Sequence, residues 1–577
     1  MAFQVSPGVQ VKEIDATGVI PAVSTSIGGF VGAFNWGPVE EIRLVSSEDS
    51  MASIFSTPDT STAKYFLTAA SFLKYGNALK VVRTIDKTAS TGANTASGVG
   101  DDSLLVLNDT DYETQTFVGT DHGRWIARYP GDLGNSIRVE VCFAGTTYTS
   151  WTYKDEFDGA PGTSQYALDL GFDGVTSVAG ETKAKTEDEL HVIVIDRLGE
   201  ITGTPGAILE RWPFLSQASD VKDSSGSSLY YKNVINSSSE YIYWATHNSE
   251  LSDAGKTITE VGALFDTLSS IETQNFSGGR NGGDPSVGDI QRGFDLFEDA
   301  ETEDVNLLFS VPDVDNNATI GKDLISICET RKDCMAFISP PIEHTTRGST
   351  PVTAVKTYAT ALGSTSYASL DSGAVYVYDK YNDEYMWIGS AGLIAGLCAN
   401  TDQVADTWFS PAGVNRGQLR GVTKLAFNPS KAQRDELYKA KVNPLVSFPG
   451  QGTMLFGDKT LLSRPGAFDR INVRRLFIVL EKAIATAAKA QLFEFNDEFT
   501  RAQFRNMIEP FLRDVKGRRG MTDFLVICDD TNNTGQVVDS NRFVADIFIK
   551  PSRSINFITL NFIATRTGVD FSEVAGG

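Results

Sequence analysis

Four histidines, His122, His191, His247 and His344, are the entire imidazole supply of this 577-residue chain, and no two share a helical turn. Zinc chemistry needs ligands clustered by spacing, as in HExxH or paired CxxC motifs. The five cysteines, Cys142, Cys328, Cys334, Cys398 and Cys528, match no such spacing. They read as reduced, buried small hydrophobes. The G-x-S-x-G nucleophile elbow and the G-x-x-x-x-G-K-[ST] phosphate loop are both absent. The run SGGRNGGD at 277–284 is rich in glycine but leads into no Lys-Ser/Thr, so it reads as a flexible connector. Asp313, Asp315 and Asn317 begin like a calcium loop. Ala318 then stands where that loop needs glycine, and Leu324 where it needs a bidentate Glu. The carboxylates Asp529 and Asp530, and Glu301, Glu303 and Asp304, lie among Thr, Asn and Gly, the setting of exposed turns. No catalytic residue, cofactor site or metal site follows. The chain reads as a non-enzyme, the alternative being an α/β enzyme with an oligomerising N-terminal arm.

One charged cluster suggests chemistry of another kind. Arg501, Arg505, Arg513, Lys516, Arg518 and Arg519 stand against only Glu498, Glu509 and Asp514. Arg501 and Arg505 share a helix face at i,i+4, while Phe504, Ile508, Phe511 and Leu512 form the stripe that docks that helix. A cationic face suits an acidic protein partner; equally, basic residues at a helix end complement its dipole. The rest of the chain makes such a face unusual. Lys and Arg total 50 against 73 Asp and Glu, a net charge of −23. From residue 429 onward, 21 basic residues meet 17 acidic ones, so a balance of +4 there leaves −27 for the first 428. An acidic chain repels phosphate backbones, which argues against nucleic acid as a partner. The split in charge points to two surfaces with different partners.

The elements that would position these residues follow from periodicity. Pro7–Gly8 turns into a short strand in which Val9, Val11 and Glu13 alternate with Gln10, Lys12 and Ile14. A buried, small-residue strand is expected over 27–34 and an amphipathic helix over 63–75, carried by Tyr65, Phe66, Ala69, Phe72 and Leu73. Strands follow at 79–82, 306–311 and 336–339, with a helix over 323–331. Between the 79–82 and 306–311 strands, residues 120–290 read as short strands and polar loops, clearest at 137–143 and 190–195. We therefore expect residues 88–287 to be inserted into one α/β domain (24–87 with 288–428). Beyond 429, helices are expected over 473–491 and 498–513, the second bending near Pro510. Strands are expected over 524–528, 542–549 and 554–563, the last with Ile558, Leu560 and Phe562 on one face. The fold class is α/β and α+β, multidomain. The opening MAFQVSPGVQ lacks the basic and apolar runs of a signal peptide, and no apolar run nears the roughly 18 residues of a membrane span. A soluble chain, folded in a reducing cytoplasm without membrane insertion, is the expectation.

Both ends and the middle of the chain resemble a known family. SPGVQVKEID at 6–15, TSIGGFVGAFNWGP at 25–38, FGDKTLLSRPGAFDRINVRRLF at 456–477, CDDTNNT at 528–534 and PSRSINFITLNFIATRTGVDF at 551–571 resemble contractile phage tail sheath proteins. The stretch YDKYNDEYMWIGSAGLIAGLCANTDQVADTWFSPAGVNRGQ at 378–418 is similar to the T-even-type sheath. The resemblance implies a structural subunit of a virion tail, assembled in the host cytoplasm. Stacked hexameric rings polymerise around a tail tube and contract to drive it through the host envelope. It implies a core domain from both chain ends (1–23 with 429–577), a middle α/β domain and an outward insertion. Strands carrying Val5, Val9, Val11 and Ile14, and Ile558, Leu560 and Phe562, would be donated to neighbouring subunits. Implied partners are further copies of itself, the tail tube protein, and baseplate and tail terminator proteins. The basic helix residues become the candidate tube-facing surface.

Overall fold

The computed structural model describes residues 23–556, except 89–91, 101–102, 145–147, 176, 179–180, 262–263, 314–316 and 348–349. The chain forms two compact units. One comprises Ser24–Val404 with Pro411–Pro465, the other Ala405–Ser410 with the chain from Gly466 onward.

The larger unit is built on a seven-stranded sheet. Its order is Val442–Asn443, Ala368–Asp371, Met335–Ile338, Leu307–Phe309, Gly28–Gly32, Leu79–Arg83 and Ile42–Val45. All neighbours run parallel except Ile42–Val45, which is antiparallel to Leu79–Arg83. Strand order reverses around Gly28–Gly32, giving a doubly wound topology. Helices cover both faces, which is why these strands read as continuous apolar runs. Val31, Val82, Leu308 and Ala336 join one core with Ile290, Phe294 and Leu324 from the helices Val287–Asp295 and Thr319–Arg331. On the opposite face Phe309 stacks on Phe72 and lies tilted against Phe30, with ring centroids 5.4 and 5.3 Å apart. On the Leu308 face Gly29 leaves room: a Cβ would stand 2.6 Å from a Leu308 methyl.

The helix Ala391–Val404 is buried along ten of its positions and packs on Ala63–Leu73 through small residues. A Cβ on Gly392 would lie 2.3 Å from the Thr68 carbonyl oxygen, so only glycine permits this approach. Sequence periodicity did not single this helix out, because a helix apolar on all sides carries no stripe. Residues 429–465, expected with the C-terminal part, instead join the sheet. Leu437 of the helix Lys431–Lys439 and Val442 both enter its core, and this moves the junction to 465/466.

After Arg83 the chain leaves the sheet and returns to it at Leu307. In between lie a four-stranded antiparallel sheet, in the order Glu272–Asn275, Ile137–Phe143, Glu189–Asp196 and Ala207–Ser216, and the pair Trp125–Ala127 with Ile242–Trp244. The glycine-rich run 277–284 is not a flexible connector. Ser277 and Ser97 exchange backbone hydrogen bonds of 2.9 and 3.0 Å. Asn94 Nδ2 donates to the Gly278 carbonyl and Asn135 Nδ2 to that of Gly279, each at 2.9 Å. The glycines serve close backbone approach: a Cβ on Gly279 would sit 2.4 Å from the Gly131 oxygen.

Arg83 bolts this excursion to the sheet. Fully buried, its guanidinium donates to the carbonyls of Phe34 at 2.8 Å, Gly37 at 2.7 Å and Pro130 at 2.8 Å.

The smaller unit packs the helices Ile471–Ala488 and Glu498–Gly517 on an antiparallel pair of strands, Met521–Ile527 and Asp546–Pro551. Leu476, Leu480, Phe504, Ile508, Leu512 and Trp408 form its core. Asp497 caps the second helix by accepting from the Thr500 amide at 2.8 Å. The helix contains Pro510 and runs on to Gly517, four residues past its expected end.

Replacing Arg83 by Met strands three buried carbonyls, each worth about 1–3 kcal/mol when left unpaired. We expect a large drop in the urea midpoint of the Arg83→Met variant, and early proteolytic cleavage of the inserted segment. An unchanged midpoint would show that the carbonyls find other donors.

Candidate assembly surface

At the carboxyl ends of the sheet strands two carboxylates, Asp313 and Asp371, are held by hydrogen bonds from the chain itself. Doubly wound sheets bind ligands beyond the carboxyl ends of their strands, often at a helix N-terminus. Here Asp313 occupies that position. Its carboxylate accepts from the amides of Ile320 at 2.9 Å and Gly321 at 3.1 Å, and from the Tyr358 hydroxyl at 2.7 Å. Nearby, Asp371 is fully buried and accepts from the Gly373 amide at 2.8 Å and from the Ser339 hydroxyl. Burial, only partly offset by these bonds, pushes its carboxyl up to about 7.

The histidines do not meet. His191 lies buried between the rings of Phe157 and Phe214, with Nδ1 accepting from the Phe214 amide at 3.0 Å and Nε2 donating to the Gly159 carbonyl at 2.8 Å. His247 sits 2.6 Å from the Tyr231 hydroxyl, and burial together with Lys232 pushes it down to about 4. His122 and His344 stand apart, against Phe117 and Tyr358. Among the described residues no group of three or more His, Cys, Asp or Glu could hold a metal. All five cysteines are buried, and none forms a disulfide. No helix of the described residues is long and apolar enough to cross a membrane.

What the smaller unit offers instead is unpaired sheet. Met521–Ile527 and Asp546–Pro551 have only each other as neighbours among the described residues, so within that set each strand keeps one edge without a ladder partner. Val526, Phe524, Ile547 and Ile549 face the helices. On the other side Leu525 and Phe548 form a cross-strand pair, 55% and 57% exposed. A two-stranded ribbon with apolar residues on both faces is poorly satisfied alone. The expected strand-donating residues Val5, Val9, Val11, Ile14, Ile558, Leu560 and Phe562 lie outside the described residues. Ser554, Ile555 and Asn556, which were expected to start the last strand, form no strand.

The six basic residues do not make one surface. Arg501 is a buried clamp, with its side chain 9% exposed. It donates to Asp530 at 2.6 Å and to Asn496 Oδ1 at 2.9 Å. Asn496 in turn donates to Asn533 Oδ1 at 3.1 Å and to the Arg542 carbonyl at 2.8 Å. This hub ties the start of the second helix to the connection between the ribbon strands, and it explains Asn533 in the CDDTNNT motif. The i,i+4 spacing of Arg501 and Arg505 could not show that one faces inward. Lys516 pairs with Asp523 at 3.0 Å, and Arg518 with Asp406. Arg505 is half-buried. Arg513, its nearest acid Glu509 at 3.7 Å, and Arg519 remain as exposed cations.

Sequence reading passed over two exposed aromatic features. One is the loop between the two helices, with Leu492, Phe493, Phe495 and Phe499 in solvent. The other is the hairpin Val375–Asp379 with Glu384–Ile388, where Tyr376, Tyr378, Tyr385 and Trp387 share a face. Their alternation in YVYDKYNDEYMW was the available signal.

The doubly wound sheet, the antiparallel excursion and the helix-backed ribbon make this a multidomain protein of mixed α/β class. Residues 286–461 match the phage tail sheath protein central domain, and residues 463–565 the phage tail sheath C-terminal domain. The chain is 33% identical to the tail sheath protein of Vibrio phage KVP40 and 32% identical to that of Enterobacteria phage T4, covering 99% of both chains in each case. Its fold is similar to the helical sheath of the anti-feeding prophage in the contracted state, with TM-score 0.50 at 14% identity, over 98% of this chain and 100% of that one. The chain belongs to the tail sheath protein family.

Asp371 yields a pH test. Its folded-state pKa is raised from 3.8 to about 7, so the folded state favours the protonated acid. Stability from this group is full at low pH and is lost as pH rises from about 4 through 7, a difference on the order of 4 kcal/mol. The Asp371→Asn variant, which cannot ionise, should gain thermal stability relative to the wild type between pH 5 and pH 8. Parallel melting temperatures across that range would contradict it.

Proposed function

We propose that this chain is the structural subunit of the contractile tail sheath of a virion. It polymerises as stacked hexameric rings around a tail tube, then contracts to drive the tube through the host cell envelope during genome delivery. The observation that carries this reading is the ribbon whose two strands have no other neighbour among the described residues, in a chain similar to sheath proteins along 99% of its length. Each edge is complementary to one extended strand. Residues 5–14 and 558–562 of neighbouring copies, with their alternating Val, Ile, Leu and Phe, have the pattern to fill them.

The energetics suit a mobile joint. Each ladder hydrogen bond is worth about 0.5–1.5 kcal/mol net, and each fully buried large apolar side chain about 1.5–3 kcal/mol. Ordering the arms offsets part of this gain. The joint therefore holds neighbours together through flexible linkers while rigid units move. In this reading the ends of the chain build the tube-facing core, the sheet unit forms the middle layer, and residues 88–287 face outward. The extended polymer is the high-energy state, so contraction needs no nucleotide, cofactor or metal. The partners are further copies of this chain, the tube protein, and baseplate and tail terminator proteins. Nucleic acid and membrane insertion play no part.

Negative-stain microscopy of the full chain, beside variants lacking residues 1–17 or carrying Phe548→Asp, tests the joint. Hollow tubules from the wild type and dispersed particles from both variants are expected. Tubules of normal length from the variants would refute strand exchange. A wild-type chain that stays dispersed with tube and baseplate present would refute the sheath role itself.

The tube contact has a separate test. Arg513→Glu with Arg519→Glu should weaken tube binding several-fold at low salt while sparing self-assembly. Unchanged tube binding would move that contact off the helix.

A further inference from the structure

The two exposed aromatic features lie on different compact units and differ in charge. In the loop, Phe495 is 84% and Phe499 74% exposed, although apolar rings of this size are normally covered. The exposure is built in. Asn496, in the middle of the loop, is fixed by the hub with Asn533, Arg542 and Arg501, and Phe493 is held at φ +72°, a strained conformation for an aromatic residue. The loop's charge is wholly acidic. Glu494 and Glu498 pair with no cation among the described residues, and no Lys or Arg lies between Ala490 and Thr500.

On the hairpin, four rings tile one face. Tyr376 and Trp387 are 4.6 Å apart, Tyr378 and Tyr385 5.1 Å, and Tyr376 and Tyr385 5.5 Å. Lys424 lies over this platform, its Nζ 4.5 Å from the centre of Tyr376 and 5.4 Å from that of Trp387. It makes no ion pair among the described residues. An aromatic surface carrying an unpaired cation complements an aromatic loop carrying unpaired acids.

We propose that the 492–499 loop of one copy seats on the Tyr376, Tyr378, Tyr385 and Trp387 platform of a second copy, with Glu494 paired to Lys424. The contact joins two different patches, so it is heterologous. Repeated without closure, such a contact generates an open helical array rather than a dimer. The inference rests on the reading of the chain as a self-polymer and names one contact within it.

The test uses full-length chains. Phe495→Cys and Tyr378→Cys variants are assembled separately and as a mixture, then treated with a short bismaleimide; the native cysteines are buried. Cross-linked dimer should be at least tenfold more abundant in the mixture than in either variant alone. In parallel, Lys424→Glu should lower polymer yield at least tenfold, and adding Glu494→Lys to the same chain should restore it. Several outcomes overturn the contact: wild-type tubules without mixed cross-links, Tyr378→Cys copies linking to each other, Phe495→Cys linking to the tube protein, or full yield from Lys424→Glu. A wild-type chain that forms no tubules in any setting refutes the sheath reading, and the contact falls with it.

Discussion

A buried cation without a carboxylate fixes the architecture of the larger unit. Moving a guanidinium out of water is costly, and a lone buried charge persists only where fixed dipoles replace its hydration. At Arg83 three carbonyl oxygens do so, and they come from three stretches of chain: Phe34 just past the central strand, Gly37 in the turn after it, and Pro130 inside the excursion. A carboxylate would have tied Arg83 to one point. Planar and presenting five donors, the guanidinium instead joins the sheet edge, its exit turn and the inserted segment in one node. The stitching of residues 94–97 to 277–280 closes the other side of the same doorway. More than two hundred residues can leave the sheet because their two ends are held where they cross.

The smaller unit repeats the device with a different partner. Arg501 turns inward to Asp530 and Asn496, and Asn496 passes the constraint to Asn533 and the ribbon connection. Exposed ion pairs contribute little, but a mostly buried arginine that organises neutral amides sets the position of whole segments. The aromatic loop is exposed because this hub holds its middle residue. The ribbon's geometry at its closed end depends on the same few bonds.

These two nodes also mark how far the sequence was legible. The four central sheet strands and the helix over 63–75 were readable because burial on both faces or on one stripe leaves a trace, whereas Ile42–Val45, Ala368–Asp371 and Val442–Asn443 were not anticipated. The strand at 137–143 matched residue for residue. Buried polar hubs leave no such trace. Arg83 looks like the end of a strand, Arg501 like one more surface base, and SGGRNGGD like a linker, because nothing in residue type reveals which carbonyl a donor will meet. The helix at 391–404 was missed for the opposite reason: from Ala391 to Ala399 it carries only apolar residues and glycine, so no polar face marks a period there. The family was legible through the resemblance of several segments to sheath proteins, whereas the alternating residues at the chain ends lie outside the described residues, and the ribbon was recognisable only as strands.

Open edges and bare aromatics are hazards for a lone protein, since they invite pairing with any exposed strand. In the larger unit helices cover both faces of the seven-stranded sheet, while Tyr378 and Tyr385 of the hairpin stay exposed. The smaller unit carries a ribbon whose outer edges have no ladder partner among the described residues, together with the exposed Leu525–Phe548 pair and the aromatic loop. Such concentration is costly to keep unless it is used. If self-association were only a matter of affinity, a flat apolar patch would serve and would lock neighbours in one geometry. A strand joint differs because its hydrogen bonds are satisfied locally, within the ribbon and the added strand, and do not depend on the angle between the bodies it links. Neighbours tied this way can rotate through a large rearrangement without the ladder opening. Side-chain contacts between rigid faces, such as a loop on a platform, hold at one angle only. A polymer made of both kinds of contact can therefore exchange the second while keeping the first, which is the physical requirement for contracting without coming apart.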